Sequence, residues 1–152
     1  MQPYYQITDQ YSARGELFET FPDKSVKCYS CGHECKIKPG SRGVCKVRYN
    51  SDGILFVPFG YVCSLNPDPI EKKPFFHLLP GSLTLSFGML GCDLKCSFCQ
   101  NWDISQVLRD PNAEGRILPV SADQIVDTAR RYNSKIITST YNEPLITSEW
   151  SN

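Results

Sequence analysis

The sequence predicts an α/β fold in two parts: a small four-cysteine metal-binding module with a β-hairpin, then the start of a partial (β/α) barrel that is expected to be truncated at Asn152. Seven of the eight cysteines fall into two tight groups with ligand-like spacing. The turn signal Asn50-Ser-Asp-Gly53 joins an alternating stretch to an apolar run, as in a hairpin. From Leu83 onward the order is strand, loop, helix, strand, loop, helix start, which is the grammar of parallel β/α units. The expected boundaries are 1–65 for the module, 66–81 for an extended linker and 82–152 for the barrel start. A closed or three-quarter barrel needs several more such units, so the chain is expected to be a fragment.

Taken in order, residues 1–24 are polar and aromatic with no clear period. Cys28, Cys31 and Cys35 then form C-x-x-C-x-x-x-C, and Cys45 follows a Gly-rich turn. Four close thiolates in a small module suit tetrahedral zinc, with a second iron-sulfur cluster or unligated thiols as the other readings. His33 either replaces one cysteine or stands beside the ligands. After Cys45, Val47 and Tyr49 alternate with Lys46 and Arg48 up to the turn, and Ile54 to Phe59 form the return strand. A metal would tie down a module of about 50 residues, too small to bury much apolar surface alone. Cys63 lies outside both groups and reads as a buried free thiol.

Three prolines in Asn66 to Pro74 forbid regular helix and favour an extended connection. Leu83, Leu85 and Phe87 alternate with Thr84, Ser86 and Gly88, as in a strand with a core face and a face of small residues. That strand delivers the run Cys92-x-x-x-Cys96-x-x-Cys99. A short helix over 103–110 and a loop to Pro119 follow, and Ser121 with Gln124 makes a capping box for a helix ending near Tyr132. A strand over 135–140 leads to Tyr141-Asn-Glu-Pro144, where the proline suits the first turn of another helix. Loops at the carboxyl ends of parallel strands build the site in such folds, so the second cysteine loop and the YNEP loop should converge.

Composition excludes some classes and permits others. The chain is 41% hydrophobic with zero formal charge, which supports a packed core and gives no electrostatic footprint for nucleic acid or anionic lipid. No signal peptide or membrane-length apolar run is legible, so a cytoplasmic location is expected and ligand thiols are favoured over disulfides.

A [4Fe-4S] cluster normally takes four thiolates, whereas Cys92, Cys96 and Cys99 supply three within eight residues. One iron is then left for a non-protein ligand. The plain alternatives are a structural zinc knuckle or a ferredoxin-like carrier, although three ligands leave a tetrahedral zinc set unfinished.

This spacing, with Phe98 before the last cysteine, resembles the signature of the radical S-adenosylmethionine (SAM) enzymes. Together with CYSCGHECKI, GVCKVR, DPIEKKPFFHLLPGS, CQNWDISQ and TYNEP, it makes the chain from about Cys28 to Glu149 similar to the radical SAM enzyme of the AmmeMemoRadiSam system, a relative of the activating enzymes of pyruvate formate-lyase. The resemblance implies a cluster whose open iron chelates SAM and whose electron cleaves it to methionine and a 5'-deoxyadenosyl radical that abstracts hydrogen from substrate. It further implies an electron donor such as flavodoxin or ferredoxin, a protein substrate or Memo-like partner, and no nucleic acid or membrane. By motif position, Phe98, Asn101, Asp103, Asn142 and Glu143 are carried over as SAM contacts. Asp68, Glu71, Lys72 and Lys73 of the DPIEKKP motif become candidates for the border of the active site; a folded linker is the alternative. Tyr141 and Asn142 stand where the activases have two glycines, and Gln100 where they have histidine. The rival to an oxidoreductase-type enzyme is a non-catalytic iron-sulfur or zinc module, or an inactive fragment of such an enzyme.

Overall fold

The computed structural model describes residues 4–151. After helix α1 (Tyr4–Gln10) come β1 (Ser12–Arg14), β2 (Phe18–Thr20), β3 (Val26–Cys28), β4 (Lys36–Ile37), β5 (Tyr49–Ser51) and β6 (Ile54–Pro58). They pair as two antiparallel sheets ordered β1-β6-β5 and β2-β3-β4. The expected hairpin is β5–β6. Its turn needs positive φ at both central residues, which Asp52 (51°) and Gly53 (91°) supply, while Asn50 Oδ1 accepts from the Gly53 N–H at 2.8 Å. Val26 and Ile37 of one sheet meet Leu55 and Val57 of the other, which closes a small core containing Cys28.

The second part is built on β7 (Tyr61–Val62), β8 (Ser64–Pro69), β9 (Leu83–Gly88), α2 (Trp102–Gln106), β10 (Leu118–Pro119), α3 (Ala122–Arg131), β11 (Ile136–Ser139) and α4 (Ser148–Ser151). Its central sheet is ordered β11-β9-β8, with β11 parallel to β9 and β8 antiparallel to it. β9 and β11 run parallel, with α3 in the connection between them. Among the described residues this sheet is open and three-stranded. Helix α3 starts where the capping box predicts: Ser121 Oγ accepts from Gln124 N at 3.2 Å, and Gln124 Oε1 accepts from Ser121 N at 2.9 Å.

Residues 66–69, expected within a linker, are a correction to the predicted organisation. They are extended as the prolines require, but they belong to β8, paired residue for residue with β9. Proline is tolerated there because β8 is an edge strand. The loop 111–119 likewise ends in a two-residue pairing with β7.

The two faces of the sheet differ, and this difference positions the site. Leu85 and Phe87 are buried with Ile125 and Ala129 of α3 and Trp150 of α4, whose ring stands edge-on to Phe87 at 5.5 Å. Burying each such large side chain contributes about 1.5–3 kcal/mol, so this face carries the core. On the opposite face Asn66 pairs with Ser86 and Asp68 with Thr84, a polar face whose Thr84 and Ser86 are buried and which shares a cavity with Asp103 and Ile104 of α2. No helix among the described residues is long and apolar enough to cross a membrane.

Candidate functional site

The chain leaves β9 at Gly88 and turns through Gly91, whose φ is +88° and whose hypothetical Cβ would lie 2.7 Å from Val47 Cγ1 and 2.9 Å from Cys45 O. Only glycine lets the second cysteine loop come this close to the N-terminal module. Arg109 then holds that loop: Nη2 donates to Cys92 O at 2.8 Å and to Val44 O, and Nη1 donates to Leu94 O at 3.2 Å. Gln106 Nε2 donates to the same Leu94 carbonyl at 3.0 Å. One arginine thus ties the loop to both α2 and the first module.

Cys92, Cys96 and Cys99 border one cavity of about 210 Å³ together with Tyr141, Asn142 and Glu143. The second cysteine loop and the YNEP loop do converge. The donor set suits a cluster with one iron free, because three thiols and no fourth cysteine or histidine line this space. The thiols border the cavity without closing on a point: among the described residues, no group of three or more His, Cys, Asp or Glu side chains is drawn together as metal ligands.

The first cysteine group is woven into packing. Cys28 and Cys45 are buried and Cys31 and Cys35 are half-buried. Cys28 N donates to Cys35 O at 3.0 Å, Val44 N donates to Cys35 Sγ at 3.5 Å, and Arg48 Nη1 donates to Cys28 Sγ at 3.7 Å. Burial pushes the Cys45 thiol up to about 11. Burial, joined by the negative charge of Asp93, also raises Cys31. Such thiols stay protonated at neutral pH unless a cation takes the proton's place. His33 Nε2 lies 3.5 Å from Asp93 Oδ2, so it faces the second loop. Cys63, outside both groups, is 3% exposed, and burial pushes its thiol up to about 11.

The carried-over SAM residues are split between two spaces. Asn142 and Glu143 line the thiol cavity, whereas Asn101 and Asp103 line a second cavity of about 560 Å³ on the polar face of the sheet. Asn142 is partly committed, since Nδ2 donates to Met89 O and Gly91 O, both at 2.6 Å. Glu143 caps the following turn, accepting from Leu145 N at 3.1 Å. Phe98, carried over as a SAM contact, is 83% exposed and lines neither cavity: the loop points it into solvent.

The DPIEKKP motif divides as well. Asp68 and Lys72 line the second cavity. Glu71 and Lys73 line neither cavity: Glu71 Oε1 accepts from Gly81 N at 2.6 Å, and Lys73 is buried. Its ammonium sits 2.7 Å from Asp68 Oδ2, 2.6 Å from Tyr141 Oη and 4.3 Å from the Tyr141 ring centroid. Burial would raise the Asp68 carboxyl, but hydrogen bonds from Lys72 and Lys73 hold it down at about 2. Tyr141 therefore stands on a fixed ion pair and forms a wall shared by both cavities.

Sequence reasoning missed Tyr141, Ser86 and the buried pair Arg48–Glu149. Tyr141 was visible only as a substituted glycine, and Ser86 only as one of the small residues of its strand. Arg48 offered no signal, because its alternation with Val47 and Tyr49 marks it as an outward residue.

No family model matches the chain, and no solved structure matches it significantly. Two curated relatives from the archaeon Methanocaldococcus jannaschii do. The uncharacterized protein MJ0808 is 43% identical over 131 residues, covering 86% of this chain, and the uncharacterized protein MJ0674 is 29% identical over 113 residues, covering 72%. The matched regions are 38% and 29% of those relatives' own lengths, so the chain is similar to a minor portion of each.

Proposed function

We propose that the chain belongs to a radical SAM enzyme that acts in the cytoplasm, with Cys92, Cys96 and Cys99 holding a [4Fe-4S] cluster. The observation that carries this reading is the shared cavity of three thiols and the YNEP loop at the carboxyl ends of two adjacent parallel strands. When bound, the cluster supplies one electron, received from a flavodoxin or ferredoxin, for reductive cleavage of SAM and hydrogen abstraction from substrate.

The chain's own residues have definite tasks around that chemistry. Arg109 and Gln106 fix the carbonyls of the thiol loop, and Asn142 fixes the carbonyls that precede it. Glu143 offers a carboxylate to the SAM ammonium, and Tyr141 forms the wall between the thiol cavity and the second cavity. The four N-terminal cysteines hold a structural zinc that braces the module on which the thiol loop rests.

Iron and sulfide analysis of the anaerobically reconstituted chain tests the assignment. One oxygen-labile cluster per chain is expected, and its loss in the Cys92→Ala, Cys96→Ala, Cys99→Ala variant. Unchanged cluster content in that variant rules the proposal out.

A further inference from the structure

The cavity of about 560 Å³ is more than a margin of the thiol site. Ser86 Oγ lies in its lining and is buried; it is near enough to Asp68 to help depress that carboxyl, yet it makes no hydrogen bond of normal geometry among the described residues. A hydroxyl buried without a full partner is disfavoured, and a bound ligand would supply one. The charged groups around it are arranged by sign. Asp68 and Lys72 line one wall, with Lys72 Nζ 2.8 Å from Oδ1, and the buried Lys73 behind that wall places its Nζ 2.7 Å from Oδ2. That wall keeps one positive charge in excess. Lys72 is its accessible member, with 62% of its side chain exposed. The other charged lining group is Asp103 of α2, an exposed carboxylate with no ion-pair partner among the described residues.

We propose that this cavity binds an α-amino acid zwitterion, with the carboxylate at Lys72, the ammonium at Asp103 and a polar group against Ser86. A charge-assisted contact at each end selects for a ligand bearing both charges, and the nearly neutral total disfavours a simple anion or cation. The inference rests on the reading of the adjoining thiol cavity as the SAM site, and it names the class of molecule beside it. The ligand is a free amino acid bound beside SAM, because the ammonium of SAM itself is given to Glu143 in the thiol cavity.

Isothermal titration calorimetry on the chain as isolated, without iron, tests the proposal using glycine, L-methionine, L-methionine methyl ester and N-acetyl-L-methionine. The two free amino acids are expected to bind, and the blocked forms to bind at least about tenfold more weakly. Lys72→Gln should abolish discrimination against the methyl ester, and Asp103→Asn should abolish discrimination against the N-acetyl form. Both residues are at the surface, so the variants should fold. No binding of either amino acid, equal binding of the blocked forms, or discrimination unchanged in both variants overturns the proposal. In the cluster-loaded chain glycine and SAM are expected to bind together, and displacement of glycine by SAM overturns the proposal. Amino acid binding in a chain that takes up no cluster would sink the radical SAM reading alone; a normal cluster without amino acid binding would sink this inference alone.

Discussion

Cys28 and Cys45 are 5% and 6% exposed and sit among packed side chains, whereas Cys96 and Cys99 stand half-buried on the wall of an open cavity. The N-terminal sulfurs already receive hydrogen bonds from Arg48 and Val44. The second loop is anchored mainly at backbone carbonyls, through Arg109 and Gln106, and its thiols, with Cys99 Sγ 3.4 Å from Ser105 Oγ and Cys92 7% exposed, border the cavity. Metal bound within packing braces a fold, and metal bound beside a cavity can meet a ligand. The same residue type therefore serves two purposes in one small chain.

The strongest way to break this comparison is to remove metal from one group at a time. Structural zinc contributes an apparent 10–16 kcal/mol in isolated finger peptides, so stripping the N-terminal set should cost several kcal/mol even with a core to help. Circular dichroism melts with and without chelator should show the module lost, while the visible absorbance of a reconstituted cluster persists. A melt indifferent to chelation, with zinc shown to be gone, would place the N-terminal cysteines among inert buried thiols.

A smaller effect tests how the two regions are joined. Arg48 is 2% exposed; it donates Nη1 to Glu149 Oε1 at 3.0 Å, Nη2 to Oε2, and Nε to Ile146 O at 2.8 Å. It thereby couples the first cysteine group to the segment after the YNEP loop. Arg48→Met should cost about 3–5 kcal/mol in denaturant unfolding because Glu149 is left buried and unpaired, and adding Glu149→Leu should recover most of it. Burial raises the Glu149 carboxyl, but the Arg48 hydrogen bonds and charge outweigh it and hold the group below its ordinary 4.5. A depressed acid stabilises the fold above its unfolded value, so this contribution is complete above pH 4.5 and fades as pH falls through the lower folded value. The Arg48→Met, Glu149→Leu variant should lose that acid sensitivity.

The outline of this arrangement was legible in the sequence because its signals are local. The capping box at Ser121, the Asp52-Gly53 turn and the alternation of Leu83 to Gly88 each reflect a few neighbouring residues. The cysteine spacings are equally local. What stayed hidden depends on distant pairing: Asn66 to Pro69 gave proline-rich linker signals, and only pairing with β9 makes them an edge strand. Lys73 resembled part of a solvated charge run until Tyr141, far along the chain, was folded over it. Arg48 reads as an outward strand residue, and its burial depends on Glu149 near the other end of the described chain.

The finest test of the comparison concerns Glu143, which belongs both to a local cap and to the cavity wall. Its Oε1 accepts from Leu145 N at 3.1 Å, and its side chain lines the space bordered by the three thiols. Glu143→Gln separates these roles, because the amide oxygen can still accept the Leu145 N–H while the negative charge is gone. If the residue is only a cap, the loss is limited to its charge on a short helix terminus, about 0.3–1 kcal/mol at most, and appears in stability alone. If it receives the SAM ammonium, removing the charge weakens SAM binding by about 1.5–3 kcal/mol, roughly ten- to a hundredfold. Titrating SAM into cluster-loaded wild-type and variant chains, alongside their unfolding curves, reads both effects. Weaker SAM binding with a nearly unchanged melt is the expected result. A shifted melt with unchanged SAM affinity would return Glu143 to the packing side of the comparison, with Cys28 and Cys45, and leave the thiol cavity without its carboxylate.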